Sequence, residues 1–237
     1  MLPSKPSNLP PLAEAVLVAI QDEAWAECLV LGGGVALAHY MQYRSTVDAD
    51  CWWEQNTTKE QKAAAIAGLK QALNQAAKRL HGAGASVRMR TWQETSSIEI
   101  VLGKEKIFSW QIAERSVKLA PYLASPYGRV KIETIEDNLA SKMTALVARG
   151  SARDFRDIHA AVTRQIVSWE ECWQLWEAKN TGLARTMGER QVALFLQAIE
   201  KRRPLSTLPE EQRQEAAALR TFYHSRLPRL GDASATI

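Results

Sequence analysis

Leu29-Val30-Leu31 runs directly into Gly32-Gly33-Gly34, and a helical pattern resumes at Val35 and continues to Gln42. Apolar β-formers, then glycines, then helix formers confine this stretch to a strand, a tight turn and a helix. In such a turn the backbone N–H groups can approach a phosphate closely, and the helix N-terminus adds a favourable dipole. Two common nucleotide signatures do not fit. A G-x-G-x-x-G fingerprint begun at Gly32 needs a small residue where Leu37 stands, and no Gly-Lys-Ser/Thr follows to make a P-loop. The glycines alone are equally compatible with a plain strand-to-helix connection.

They do not stand alone. Asp48-Ala49-Asp50 follows shortly after, in a stretch from Thr46 to Trp53 that alternates as a strand does, with Val47, Ala49 and Cys51 on one side. Strand residues two apart share a face, so the two carboxylates project together. Like charges held that close repel, and an oxygen-seeking divalent cation relieves the repulsion. Without the glycine turn upstream, two solvated aspartates on an exposed strand would explain the pattern as well.

The chain has 237 residues, 46% of them hydrophobic and 24% charged, which places it among globular proteins and excludes disordered or fibrous classes. Three cysteines and four scattered histidines form neither a disulfide framework nor a local zinc motif. The apolar run Ala15–Ile20 is far too short to cross a bilayer and carries no leader or cleavage signal, so no membrane association and a cytoplasmic location are expected. Formal charge is +4, and the surplus lies entirely beyond residue 137. A basic C-terminal part suits a polyanionic partner, although helices that merely carry arginine would give the same count.

A proline-rich arm, residues 1–11, precedes a helical stretch over Leu12–Leu29. A long helix is predicted from about Thr58 to Leu80, and three strands over Ser86–Trp92, Ser97–Leu102 and Ile107–Ile112 form an antiparallel meander whose first connection contains Glu94-Thr95. A short stretch over Arg129–Ile132 leads to Thr134 and Asp137, which resemble a capping box. Helices follow near Glu136–Arg149, Ala152–Gln165, Trp169–Lys179, Gly188–Arg202 and Glu210–Arg226, and Leu227–Ile237 reads as a loose tail. Trp169, Trp173 and Trp176 fall on one helix face and are expected in a core. The organisation is a mixed α/β part, residues 1–133, and a helical part, residues 134–237.

Gly33-Gly34-Val35-Ala36-Leu37, then Arg44-Ser45-Thr46-Val47-Asp48-Ala49-Asp50, then Leu139-Ala140-Ser141-Lys142, Arg149 and Arg153-Asp154-Phe155-Arg156-Asp157 stand in an order and spacing that resemble one family. It is the AbiEii/AbiGii-type toxin family of abortive-infection systems, within the polymerase-β-like nucleotidyltransferases. The resemblance runs from about Leu29 to Val162, and Val35 departs from it by replacing a phosphate-directed Ser or Thr. It implies an α+β fold, a nucleotidyltransferase-like mixed-sheet domain followed by an all-α domain. It also implies transfer of a nucleotidyl group from an NTP, with magnesium or manganese. The acceptor it suggests is the three-prime end of tRNA, and the biological partner is a cognate antitoxin.

The same resemblance implies catalytic roles for Asp48, Asp50, Lys142 and Asp154. It implies nucleotide contacts for Gly33, Gly34, Arg44, Thr46, Lys142, Arg149 and Asp157. Glu99, between Ile98 and Ile100, is the candidate third metal carboxylate beside Asp48 and Asp50. The plainer readings are a solvated Lys142, an Asp154 that only caps its helix after Ser151, and an Asp157 that only pairs with Arg153. A non-catalytic nucleotide- or antitoxin-binding module and an aminoglycoside-type nucleotidyltransferase remain alternative readings of the whole.

Overall fold

The computed structural model describes residues 1–46, 48–92, 95–115 and 117–230; Val47, Glu94 and the tail beyond Leu230 lie outside them. Contacts divide the chain into two units, Met1–Asn138 and Leu139–Ile237.

In the first unit, among the described residues, seven strands form one mixed sheet in the order β3-β4-β5-β2-β1-β7-β6. They are β1 Leu29–Gly32, β2 Asp48–Trp53, β3 Ala85–Trp92, β4 Thr95–Leu102, β5 Glu105–Ala113, β6 Leu123–Ala124 and β7 Lys131–Ile132. The expected meander is present as β3-β4-β5, antiparallel throughout. β2 then pairs parallel with β5 and antiparallel with β1, and β1 pairs parallel with β7. The pairing puts the Asp-x-Asp strand in the middle of the sheet and beside the strand that enters the glycine turn.

Along β2 the burial alternates: Ala49, Cys51 and Trp53 are buried, whereas Asp48, Asp50 and Trp52 are half-buried. The apolar set of this unit continues in Ile98, Ile100, Phe108, Trp110 and Ile112, all at most 2% exposed. Helix α1, Pro11–Ile20, packs on α3, Lys59–His81, whose start is closed by a complete capping box between Thr58 and Gln61. The continuous helix predicted over Leu12–Leu29 is broken after Ile20, and a 3₁₀ turn occupies Ala24–Cys28. At the break the Gln21 carbonyl, freed from the helical ladder, accepts from the Arg129 N–H at 2.8 Å. Helix α2, Gly33–Met41, follows the glycine turn.

Helix α4, Ile135–Arg149, begins in the first unit and ends in the second. The second unit is otherwise built of α5 Ala152–Thr163, α6 Trp169–Lys179, α7 Arg185–Arg202 and α8 Glu210–His224. Two of the three stripe tryptophans are core, as expected, and Trp169 is half-buried at its edge. Trp173 and Trp176 are at most 1% exposed and meet edge to face at 5.4 Å, and Trp169 reaches Phe222 and Tyr223 in the same manner. Gly188 admits them, since a Cβ there would lie 3.0 Å from the Trp173 ring. The α7 helix starts at Arg185, about one turn before the expected Gly188.

Gly68 of α3 is a sharper case of the same constraint. A Cβ at this position would stand 2.4 Å from the Trp25 ring. Gly68→Ala gains about 1 kcal/mol of helix propensity but overpacks the Trp25 contact by about 1–3 kcal/mol. The steric term wins, and thermal melting of the variant is expected a few degrees below the parent; a higher melting temperature would show that Trp25 moves aside freely.

Candidate active site

Gly33 is the first residue of α2 and holds a φ of +56°, a left-handed conformation that favours glycine. A second reason is spatial: a Cβ on Gly33 would lie 2.0 Å from Asp50 Oδ2. The Asp50 carboxylate therefore rests directly on the turn, at the positive end of α2, where an anion is favoured. Gly34 is crowded by the other predicted residues. Its Cβ would meet Thr46 Oγ1 at 3.2 Å and an Arg44 guanidinium nitrogen at 3.6 Å. Gly33, Gly34, Arg44, Thr46 and Asp50 thus converge on one turn, and Asp48 stands on the same face of β2 as Asp50.

The Thr46 hydroxyl donates to the Asp48 carbonyl at 3.0 Å, so it shapes the entry to β2. Arg44 donates from Nε to the Tyr43 hydroxyl at 2.8 Å. Val35, which stands where a hydroxyl was expected, is wholly buried.

Asp48 pairs in register with Ser109 of β5 and accepts from its hydroxyl at 2.5 Å. The Lys106 ammonium lies 3.4 Å from the same oxygen. Neither residue is legible from the sequence, because both are brought to Asp48 only by the parallel β2–β5 pairing. Magnesium is commonly held by one or two carboxylates together with substrate phosphates, and a hard pair such as Asp48 and Asp50 suits that coordination.

Glu99 does not extend the pair. The register places it across Ser109, one strand further from Asp48, and opposite Arg88 of β3. Its carboxylate is taken by Arg88 at 2.5 Å and Arg90 at 3.4 Å. No cluster of three His, Cys, Asp or Glu side chains that could hold a metal ion occurs among the described residues. The expectation of Glu99 as third metal ligand is therefore corrected: two edge-strand arginines claim it.

A buried network stands behind the turn, and local sequence reasoning misses it. Glu133 is fully buried and accepts from the Trp52 indole N–H at 2.9 Å, from Arg115 and from the Asn138 amide at 2.5 Å. Burial pushes its carboxyl up, while Arg115, Asn138 and Trp52 oppose the push. The capping box expected at Thr134 is only half formed. The Asp137 N–H does donate to the Thr134 hydroxyl, at 3.2 Å. The Asp137 carboxylate instead accepts from Arg115 and from the backbone N–H groups of Leu119 and Ala120.

In the second unit the four predicted residues form two ion pairs. Arg149 forks onto Asp154 at 2.9 and 3.1 Å, and the Ser151 hydroxyl donates to Asp154 at 2.6 Å. Burial alone would raise the Asp154 carboxyl, but these donors and the Lys142 charge outweigh it and hold the group below the usual range. Ser151 also accepts from the Asp154 N–H, so the N-cap is real as well. Lys142 meets Asp157 at 2.8 Å, with side-chain exposures of 11% and 0%. Desolvation pushes the Asp157 carboxyl up to about 8, and the neighbouring ammonium works against that push. The picture of Lys142 as a solvated lysine is corrected by this pairing.

A family model described as "Nucleotidyl transferase AbiEii toxin, Type IV TA system" matches residues 15–233. The chain belongs to this family. Among solved structures, the AbiEii chain is similar to the Megavirus polyadenylate synthase, at 9% identity and a TM-score of 0.38, over 93% of this chain and 51% of that one. It is also similar to terminal uridylyl transferase 4 from Trypanosoma brucei with bound dUTP, at 11% identity and a TM-score of 0.26, over 79% of this chain and 58% of that one. The AbiEii chain thus spans roughly half the length of these proteins. No curated protein matches it. No helix among the described residues is long and apolar enough to cross a membrane.

Removing one partner of a buried ion pair costs about 3–5 kcal/mol when the other charge is left behind, and the raised Asp157 carboxyl carries that charge only above about pH 8. Lys142→Ala is therefore expected to lower the melting temperature clearly at pH 8.5. A raised carboxyl favours the neutral form in the folded state, so its contribution to stability is greatest below the unfolded value near 4 and is lost as pH rises toward 8. The deficit of Lys142→Ala should accordingly be larger at pH 8.5 than at pH 5, and Asp157→Asn on top of it should recover most of the loss. Melting curves of the three proteins at both pH values test this; a variant that melts like the parent would make Lys142 a solvated cation after all.

Proposed function

We propose that this protein transfers a nucleotidyl group from an NTP to an acceptor at the Asp48–Asp50 face of β2. The observation that carries the reading is the Asp50 carboxylate resting on Gly33 at the start of α2, with Asp48 on the same strand face. The helix start offers backbone N–H groups to a phosphate and Arg44 adds a cation. Asp48 and Asp50 would hold magnesium or manganese, which supplies charge neutralisation for the triphosphate when bound. An acceptor hydroxyl loses its proton to solvent as its oxygen bonds to the α-phosphorus, the bond from that phosphorus to the α,β-bridging oxygen breaks, and pyrophosphate leaves with the electron pair.

Within the helical unit Asp157 pairs with Lys142 and Asp154 with Arg149; a phosphate-directed role for Lys142 and a catalytic role for Asp154 are proposed on the family resemblance. The proposed acceptor is the three-prime end of tRNA, supported by the family resemblance and by the positive surplus beyond residue 137. The proposed regulator is a cognate antitoxin protein, and the proposed location is the cytoplasm. A nucleotide-binding module without transfer is the second reading, favoured by the Lys106 and Ser109 contacts that already occupy Asp48.

Incubation with each labelled NTP and total tRNA decides between the two. Asp48→Asn should abolish incorporation while shifting the melting temperature little, because the pair it weakens is half exposed and such pairs are worth at most about 1 kcal/mol. Asp22→Asn, on the surface, is the control. Calorimetry should show NTP bound more tightly with magnesium than without, since two bare carboxylates repel a triphosphate; equal affinity would remove the metal assignment. If RNA is the acceptor, neutralising the exposed Lys201, Arg202 and Arg203 together should weaken its binding and flatten the salt dependence. A flat slope in the parent protein would favour a small-molecule acceptor.

A further inference from the structure

The glycine turn has a feature that a plain strand-to-helix connection does not need. Gly33 opens α2 with a left-handed φ, so its carbonyl begins the helical ladder from a conformation that the residues after it do not share. The Gly33 peptide group is held from outside: the Asn138 side-chain amide donates to the Gly33 carbonyl at 2.9 Å. A trans peptide is planar, with its C=O and the following N–H pointing opposite ways. Fixing the Gly33 carbonyl therefore fixes the Gly34 N–H and aims it away from Asn138.

Asn138 is itself oriented by the other end of the network. Its second amide contact goes to Glu133 Oε1 at 2.5 Å, and Glu133 Oε2 accepts from the Trp52 indole at 2.9 Å. The Trp52 ring covers the turn, for a Cβ on Gly32 would lie 2.2 Å from its nitrogen. Asn138 and Glu133 are both wholly buried. The Asn138 carbonyl oxygen, moreover, is buried with no hydrogen-bond partner among the described residues. An unpaired buried acceptor is costly, and an apolar side chain of the same size would avoid that cost. Retaining the asparagine is understandable if its two donor contacts serve the turn.

We propose that Asn138, oriented by Glu133 and with Trp52 as a lesser support, is a positioning residue that aims the Gly34 N–H at a phosphate of the bound NTP. This rests on the nucleotidyl-transfer reading of the same turn. Asn138 touches neither the nucleotide nor the reacting atoms; it acts through the Gly33–Gly34 peptide. A lost aim should weaken ground-state holding of the triphosphate more than the chemical step.

The test compares the parent, Asn138→Leu and Trp52→Phe by calorimetry with magnesium and NTP, and by steady-state incorporation. Asn138→Leu keeps the branched shape of the side chain and deletes both donors, and its KM for NTP is expected to rise about tenfold. Its kcat should stay within about threefold, and its KM for the acceptor should be unchanged. Trp52→Phe keeps a ring over Gly32 and removes one donor to Glu133, so a smaller rise in the same parameter is expected; it also serves if the leucine variant fails to fold. NTP binding unchanged in both variants would overturn the proposal. So would a fall in kcat matched by both KM values and by the melting temperature, which is the signature of a merely structural residue. A parent protein that binds no NTP would remove the nucleotidyl-transfer reading, and this inference with it.

Discussion

Burying the Glu133 carboxylate leaves it no solvent to turn to, and each donor that satisfies it comes from a different part of the first unit. Trp52 arrives from β2, Arg115 from the segment after β5, and Asn138 from the first turn of α4. A buried carboxylate lacking such donors would cost several kcal/mol, so the three elements are tied to one point. That point lies against the glycine turn, because Trp52 covers Gly32 and Asn138 holds the Gly33 carbonyl. The geometry of the turn at the start of α2 is thus tied to satisfying one carboxylate in the interior.

The acidic residues of the two units differ in what surrounds them, and that difference separates their chemistry. Asp48 and Asp50 are half-buried on the sheet face, with hydroxyl, ammonium and helix-end compensation. Such groups can exchange their partners for a cation at modest cost. Asp154 and Asp157 are at most 1% exposed and already paired with Arg149 and Lys142. In the helical unit the charge pairs first of all join α4 to α5, and any catalytic use of Lys142 has to coexist with that duty.

Several features follow from local pattern and needed no partner to be read. The strand–glycine–helix run at Leu29–Gln42, the shared face of Asp48 and Asp50, and the meander of β3 to β5 are consequences of periodicity. So is the tryptophan stripe of α6, whose Trp173 and Trp176 are buried. Their physical basis lies within a few residues of chain, where side-chain alternation, glycine freedom and cap hydrogen bonds act. The family motifs were legible for the same reason, since each is a short string with fixed spacing.

What only the tertiary structure decided are the partners of charges. Glu99 looks like a third ligand on a strand until β3 pairs beside it and presents Arg88 and Arg90. Lys142 reads in sequence as a phosphate-directed or solvated cation, and only the packing of α5 on α4 brings Asp157 to 2.8 Å from it. Asp137 has the spacing of a capping residue, yet Arg115 and two loop N–H groups claim its carboxylate. Glu133 and Asn138 carry no local signal at all. A carboxylate or an ammonium takes whichever counter-group the fold delivers within hydrogen-bond reach, and that delivery depends on strand register and helix packing between residues far apart in the chain. The sequence alone therefore determined where a glycine turn and an acidic strand would form; the fold decided which charges lie half-buried on the sheet face and which are buried in pairs that hold the protein together.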